Sequence, residues 1–90
     1  MNNDDIDLMS PAAICRGMYE ENDGTTYFGS LLAYQSHLCD AEDLGFIVKG
    51  QLTARGKAVG KACSNLPKGR AYVFADQYRE CARKALEDFR

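Results

Sequence analysis

Apolar residues recur along most of this chain at spacings of three and four, the period of a helix with one face on a core. Four stretches carry the pattern, near residues 11–21, 27–43, 53–64 and 70–89. In the first, Ile14, Cys15 and Met18 form the stripe. Ser10-Pro11 is its start signal, because a serine oxygen accepts from free amides and proline suits the first turn. Asn22-Asp23-Gly24 signals the turn that ends it. The second stretch has Thr25 or Thr26 as its cap. Tyr27, Phe28, Leu31, Leu32, Tyr34, Leu38 and Cys39 make a stripe broad enough for a central helix touched on two sides. Gly45 follows as a left-handed C-cap.

The pattern then changes. Phe46-Ile47-Val48 is a short β-prone run, Lys49-Gly50-Gln51 a turn, and Leu52 the return of a minimal hairpin. Thr53 caps the third helix, in which Ala54, Ala58 and Ala62 recur every four residues, as do Gly56 and Gly60. Small residues at that spacing let another backbone approach closely. They predict tight packing against the second or fourth helix, or a helix-to-helix contact between the subunits of a homodimer. Ser64-Asn65 and Pro67-Lys68-Gly69 break the chain before the last helix. Its core face is Phe74, Tyr78, Cys81, Ala82, Ala85 and Phe89, with Leu86 alongside. Residues 1–9 are polar and acidic and are expected to fray at the start, with Ile6, Leu8 and Met9 able to reach the core. The expected core is Ile14, Met18, Phe28, Leu31, Leu32, Leu38, Phe46, Ile47, Leu52, Val59, Phe74, Tyr78, Cys81 and Leu86. Leu31→Ala would then cost about 2–5 kcal/mol.

Ninety residues predict one small domain over 1–90, with a core modest enough that a partner or self-association would help it. No apolar run reaches the length of a membrane span. The acidic start, MNNDDIDLM, has no apolar stretch of a secretory leader, so the expected location is cytoplasmic. Cys15, Cys39, Cys63 and Cys81 form no CxxC or CxxH pair, and His37 and Cys39, two apart, point to different faces of a helix. The cysteines are expected to be buried, reduced and metal-free, and no cofactor is expected.

Charge is segregated. Residues 1–43 carry nine acids against one base, Arg16, for a net −8, and residues 44–75 carry six bases and no acid, for +6. Residues 76–90 balance, and the chain totals −2. Such a split makes a dipolar surface that steers a charged partner, unless the two halves neutralise each other inside the fold. Asp40, Glu42 and Asp43 fall in the last turn of the second helix, where carboxylates oppose the macrodipole. A helix that carries this misfit either pairs those acids with nearby bases or presents them to a partner.

Gly45-Phe46-Ile47 followed by Leu52-Thr53-Ala54-Arg55-Gly56 resembles the second half of a winged-helix domain. In that superfamily a recognition helix ends at such a Gly-Phe-Ile step, a wing follows, and a Leu-Thr-x-x-Gly phrase opens the next helix. The resemblance covers residues 44–63. It implies a mainly α, compact four-helix fold, winged-helix-like with a minimal or absent wing, and puts the second helix in the recognition position. Three departures bear on function. Only four residues separate Ile47 from Leu52, no helix precedes the first one, and the second helix has no lysine or arginine. DNA affinity rests largely on Lys and Arg at phosphates. Nucleic-acid contact would therefore fall to Lys49, Arg55, Lys57, Lys61, Lys68 and Arg70.

No enzyme is expected. With a single histidine there is no assembled set of nucleophile, base and orienting group. Gly56-x-x-x-Gly60-Lys61 lacks the strand and loop of a phosphate site. The expected function is that of a non-catalytic regulatory protein that binds a protein partner with a basic surface. Its acidic face would hold Glu20, Glu21, Asp23, Asp40, Glu42 and Asp43, extended by Asp4, Asp5 and Asp7, and could compete with nucleic acid for a basic groove. Small acidic proteins of this size include phage and mobile-element inhibitors of bacterial defence systems, a likeness of size and charge alone. The other expectation is a winged-helix-like DNA-binding transcriptional regulator.

Overall fold

A computed structural model describes residues 6–20, 25–28 and 30–89. These form helices α1 (Met9–Tyr19), α2 (Leu31–Asp43), α3 (Ala54–Cys63) and α4 (Ala75–Asp88), with a ribbon of β1 (Ile47–Val48) and β2 (Gln51–Leu52) between α2 and α3. A 3-10 turn, Ala71–Phe74, leads into α4. The fold is mainly helical, as the periodicity predicts.

The helix at the centre is α1, not α2. Residues 10–17 of α1 are all buried, on every side, although the sequence stripe marks one face only. Ala12, Ala13 and Gly17 are small enough to let neighbours close in around it, and α2, α3 and α4 all contact it. The helix starts ahead of the Ser10-Pro11 signal. Met9 donates its amide to Asp7 Oδ1 at 3.0 Å, and Pro11 falls within the first turn, where a missing amide costs nothing. Asp7 is held in turn by Arg79, with Nε and Nη2 each 2.9 Å from a carboxylate oxygen. Ile6, Leu8 and Met9 pack on the core.

The glycines of α3 face α1 and the ribbon. A Cβ on Gly60 would lie 2.5 Å from the Cys15 carbonyl oxygen and 2.7 Å from Tyr19 Cβ. On Gly56 it would lie 2.2 Å from the Phe46 carbonyl oxygen. The glycine half of the stripe thus packs on α1 and on the backbone at Phe46, neighbours the expectation did not name, while α3 also contacts α4 as expected.

Between α2 and α3 the local signals hold. Gly45 has φ +79° and ends α2, with its amide on Glu42 O at 3.0 Å and the Phe46 amide on Ala41 O at 2.9 Å. Ile47 pairs with Leu52 and Val48 with Gln51. Lys49 (φ 53°) and Gly50 (φ 77°) make the two-residue turn, whose positive φ values match the twist of a hairpin. Thr53 Oγ1 accepts from the Gly56 amide at 3.1 Å and donates to Gly45 O at 2.6 Å, so one hydroxyl joins the cap of α3 to the end of α2.

The start of α2 differs from the expectation. Ser30, not Thr25 or Thr26, is the cap and accepts from the Ala33 amide at 3.1 Å. Tyr27 and Phe28 lie in the connection ahead of the helix, and the Tyr27 carbonyl accepts from the Ala71 amide at 2.8 Å. The inward side of α2 is then Tyr34, Leu38 and Ala41, of which only Ala41 is fully buried. Leu31 and Leu32, expected in the core, are 60% and 76% exposed. Their first turn projects past the core, so Leu31→Ala belongs with surface substitutions, usually within about 0.5 kcal/mol. Ile14, Phe46, Ile47, Val59 and Tyr78 are buried as expected. Met18, Phe28, Leu38, Leu52, Phe74, Cys81 and Leu86 pack partly buried around them. Phe89 lies beyond the end of α4 and is exposed.

Gly60→Ala should destabilise the fold although alanine is the better helix former by about 1 kcal/mol. The added methyl meets backbone of α1, which cannot rotate away, and overpacking of this kind costs about 1–3 kcal/mol. Urea unfolding of the variant should show a lower midpoint. A raised midpoint would mean that α1 and α3 are not in this contact.

Candidate functional site

Arg16, the one base of the acidic half, is fully buried. Its position on α1 follows from helical spacing: four residues on, Glu20 stands over it. Arg16 Nε donates to Glu20 Oε2 at 3.2 Å, Nη1 to Tyr78 Oη at 2.8 Å and Pro67 O at 3.1 Å, and Nη2 to Leu66 O at 2.9 Å. The guanidinium lies 4.3 Å from the centre of the Tyr27 ring, a cation–π distance, and Tyr27 Oη donates to Glu20 Oε1. Among the described residues no buried side-chain nitrogen or oxygen lacks a partner. Burial works against the charge on Arg16, but the hydrogen bonds with Tyr78 and Glu20 more than offset it and hold its pKa above the ordinary value. Burial also acts to raise Glu20, yet the bonds from Tyr27 and Arg16 keep its carboxyl below the usual range. Burial, then the bond to Glu20, pushes Tyr27 up to about 12. Each buried nitrogen and oxygen of the cluster has a partner within the chain, so its polar atoms act as a structural lock. A cation amid the apolar run of α1 was the only sequence signal for it.

That lock removes Glu20 from the acidic face, since its carboxylate is turned onto Arg16 and Tyr27. Asp7 is spent on Arg79. Asp4, Asp5, Glu21 and Asp23 lie outside the described residues. The acids that the structure brings together are Asp40, Glu42 and Asp43, within one turn at the end of α2. Glu42 and Asp43 are exposed, and Asp40 is half-exposed with His37 Nδ1 3.5 Å from its carboxylate. The outer side of α2 is Leu31, Leu32, Gln35, Ser36, Cys39, Glu42 and Asp43. This helix has no acid in its first turn and no base in its last, so its own charges oppose its dipole.

The six bases of residues 49–70 are distributed over three places. Lys49 is at the tip of the hairpin turn. Arg55, Lys57 and Lys61 are exposed on α3, with Lys57 and Lys61 one turn apart on the same side. Lys68 and Arg70 are exposed in the loop before the 3-10 turn. Arg55 reaches the Leu44 carbonyl at the end of α2 (3.4 Å), and Arg70 Nη1 donates to Phe28 O at 2.6 Å, just ahead of α2. Ion pairs among the described residues join Arg16 to Glu20, His37 to Asp40, Arg79 to Asp7 and Asp76, and Arg83 to Glu80 and Glu87. None joins an acid of residues 1–43 to a base of residues 44–75. The two halves therefore do not neutralise each other through direct pairs among these residues.

Cys15 and Cys63 are buried, contrary to nothing in the pattern, and burial pushes both up to about 12. Cys81 is half-buried; Cys39 is exposed, which corrects the expectation of burial for that residue. His37 stacks near Phe28, with ring centres 6.4 Å apart, on the inner flank of α2, and Cys39 is on the outer side. No group of three His, Cys, Asp or Glu side chains suits a metal ion among the described residues, and none of their helices is long and apolar enough to cross a membrane. No protein-family model, curated protein or solved structure matches the chain.

Two measurements test the lock. Arg16→Met should cost about 3–5 kcal/mol in urea unfolding, because it strands Glu20, Tyr78 and two carbonyls without their donor. A cost under about 1 kcal/mol would place Arg16 at the surface. The second is pH. Because the folded pKa of Glu20 is below its ordinary value near 4.5, the unfolded chain takes up its proton first. Its contribution is complete above that value and is lost as pH falls through the folded pKa. Glu20→Gln should therefore lose less stability than the natural chain between neutral pH and the acid range below about 4.5. Parallel acid profiles would show that Glu20 has no favoured charge in the fold.

Proposed function

We propose that this chain is a small, non-catalytic regulatory protein of the cytoplasm that acts by binding a protein partner with a basic surface. The observation that carries the reading is α2. It is the least embedded of the helices around α1, it exposes two leucines, and it ends in carboxylates that no lysine or arginine of the described residues pairs. An apolar contact next to a charged rim is the usual anatomy of a protein interface. Carboxylates in such a rim speed association with a cationic partner and make it salt-dependent. A target that uses a basic groove for nucleic acid fits this chemistry, and an inhibitor carried by a phage or mobile element would act by occupying that groove.

Asp40, Glu42 and Asp43 changed together to Lys should abolish partner capture at low salt while helical content stays unchanged. The measurement is affinity capture by the tagged natural chain and the triple variant, side by side at two salt concentrations, with circular dichroism of both. An identical captured set would remove the acidic end of α2 from the interface.

A second reading, a winged-helix-like DNA-binding regulator, is favoured by the element order and by the cations. Gly45-Phe46-Ile47 closes α2, a hairpin follows, and Leu52-Thr53 opens α3. Lys57 and Lys61, one turn apart, share a side of α3, and with Arg55 they are exposed without a carboxylate partner among the described residues. The turn of the hairpin is only two residues, and α2, in the recognition position, has no cation for phosphate. Should the triple variant capture its partner normally while Lys57→Glu with Lys61→Glu abolishes a salt-dependent shift of duplex DNA, this second reading replaces the first.

A further inference from the structure

We propose that the outer side of α2 also docks a second copy of this chain, with the two α2 helices antiparallel about a two-fold axis. The inference rests on the reading of α2 as a docking face and names a second occupant for it. Its basis is that the face is complementary to itself. One end carries Leu31 and Leu32, and the other carries Glu42 and Asp43, about 16 Å away along the axis at about 1.5 Å per residue. The leucine end is the positive end of the helix dipole. No acid stands in its first turn, and the exposed Arg70 sits beside it through its bond to Phe28 O. The acid end is the negative end, with no base in its last turn. Each end thus lacks the charge that the other end has.

A two-fold axis brings the same patch of both copies together, so a residue at one end of α2 meets the opposite end of its partner. With the axis between Gln35 and Ser36, Leu32 of one copy meets Cys39 of the other. Glu42 and Asp43 then overlie the segment ahead of α2 where Arg70 is held. The polar middle is Gln35 and Ser36, both exposed and neutral, and no two like charges of the α2 helices themselves face each other. A parallel pair would instead set six carboxylates against one another, which is the arrangement that charge excludes. The leucines gain the cover they lack in the single chain, and the acids gain a cation and a helix N-terminus.

Sedimentation equilibrium of the natural chain across micromolar to millimolar concentration tests this. The expected result is a mass that rises from 10.0 kDa toward twice that value. Leu32→Ser should abolish the rise, and since Leu32 is exposed, circular dichroism should stay unchanged. Arg70→Glu alone, and Glu42→Lys with Asp43→Lys, should each weaken self-association by tenfold or more, and an equimolar mixture of these two variants should restore it. In that mixed pair one contact keeps the natural charges and the other has both signs reversed. A natural chain that stays at 10.0 kDa throughout, or one that dimerises while the mixture fails to recover, overturns the inference. Neither outcome touches partner capture, so the reading of α2 as a partner-binding face stands or falls separately on the triple variant.

Discussion

A buried guanidinium sets the terms for this fold. Arg16 has no exposure to water, and a charge so placed is tolerated only when its neighbours replace its hydration. Those neighbours come from four separate segments: Glu20 from the end of the same helix, Tyr27 from the segment ahead of α2, Leu66 and Pro67 from the loop after α3, Tyr78 from α4. Each of these segments must be in place for the charge to be satisfied. The core of a chain of ninety residues holds few large apolar side chains, and in α1 the buried Ala12, Ala13 and Gly17 are no bigger than alanine. The polar cluster supplies the directional restraint that such a core lacks, and it fixes how α4 and the loops register on α1.

The close approach of α1 and α3 follows from the same geometry. With Gly60 under the Cys15 carbonyl and Gly56 under Phe46, α3 lies tight against one side of α1, and α4 closes another. What is left for α2 is a smaller side, filled by Tyr34, Leu38 and Ala41. A helix of thirteen residues held by one fully buried side chain and a few partly buried ones is necessarily more than half surface. Its exposed leucines are therefore a consequence of where α1 spends its contacts.

The parts of the fold legible in the sequence are those written in local chemistry. Gly45 at positive φ, the Lys49-Gly50 turn and the Thr53 cap all work through atoms a few residues apart, and each is found where the sequence puts it. The start of α2 was not legible because Thr25, Thr26 and Ser30 are all competent caps. Which one is used depends on Tyr27, whose ring must lie over Arg16 and whose carbonyl must meet Ala71. That requirement holds Tyr27 outside the helix, and the choice of Ser30 moves Leu31 and Leu32 out of the core. The partner of the Gly56–Gly60 face was equally hidden, since spacing reveals a close contact but not which backbone makes it. Of the acidic face, Asp40, Glu42 and Asp43 were readable from position in a helix, whereas the withdrawal of Glu20 depends on a burial of Arg16 that no periodicity announces.

The lock also shapes the surface charge. Arg16 is the only base among residues 1–43, and it is inside, paired with Glu20. Among the described residues of that half no lysine or arginine is left at the surface to screen Asp40, Glu42 and Asp43, and only His37 stands beside Asp40. Arg79 reaches back to Asp7 and Arg83 serves Glu80 and Glu87 of its own helix, so both arginines of α4 are engaged as well, which leaves Lys84 exposed there. Apart from Lys84, the lysines and arginines of the described residues that lack a carboxylate partner lie in residues 49–70, on the hairpin turn, on α3 and in the loop beside the start of α2. At α2 this leaves a negative end, a neutral middle and an apolar end flanked by Arg70. A surface with that order recognises a charge pattern running the opposite way, and a protein with a basic rim and a second copy of α2 turned end for end both present one.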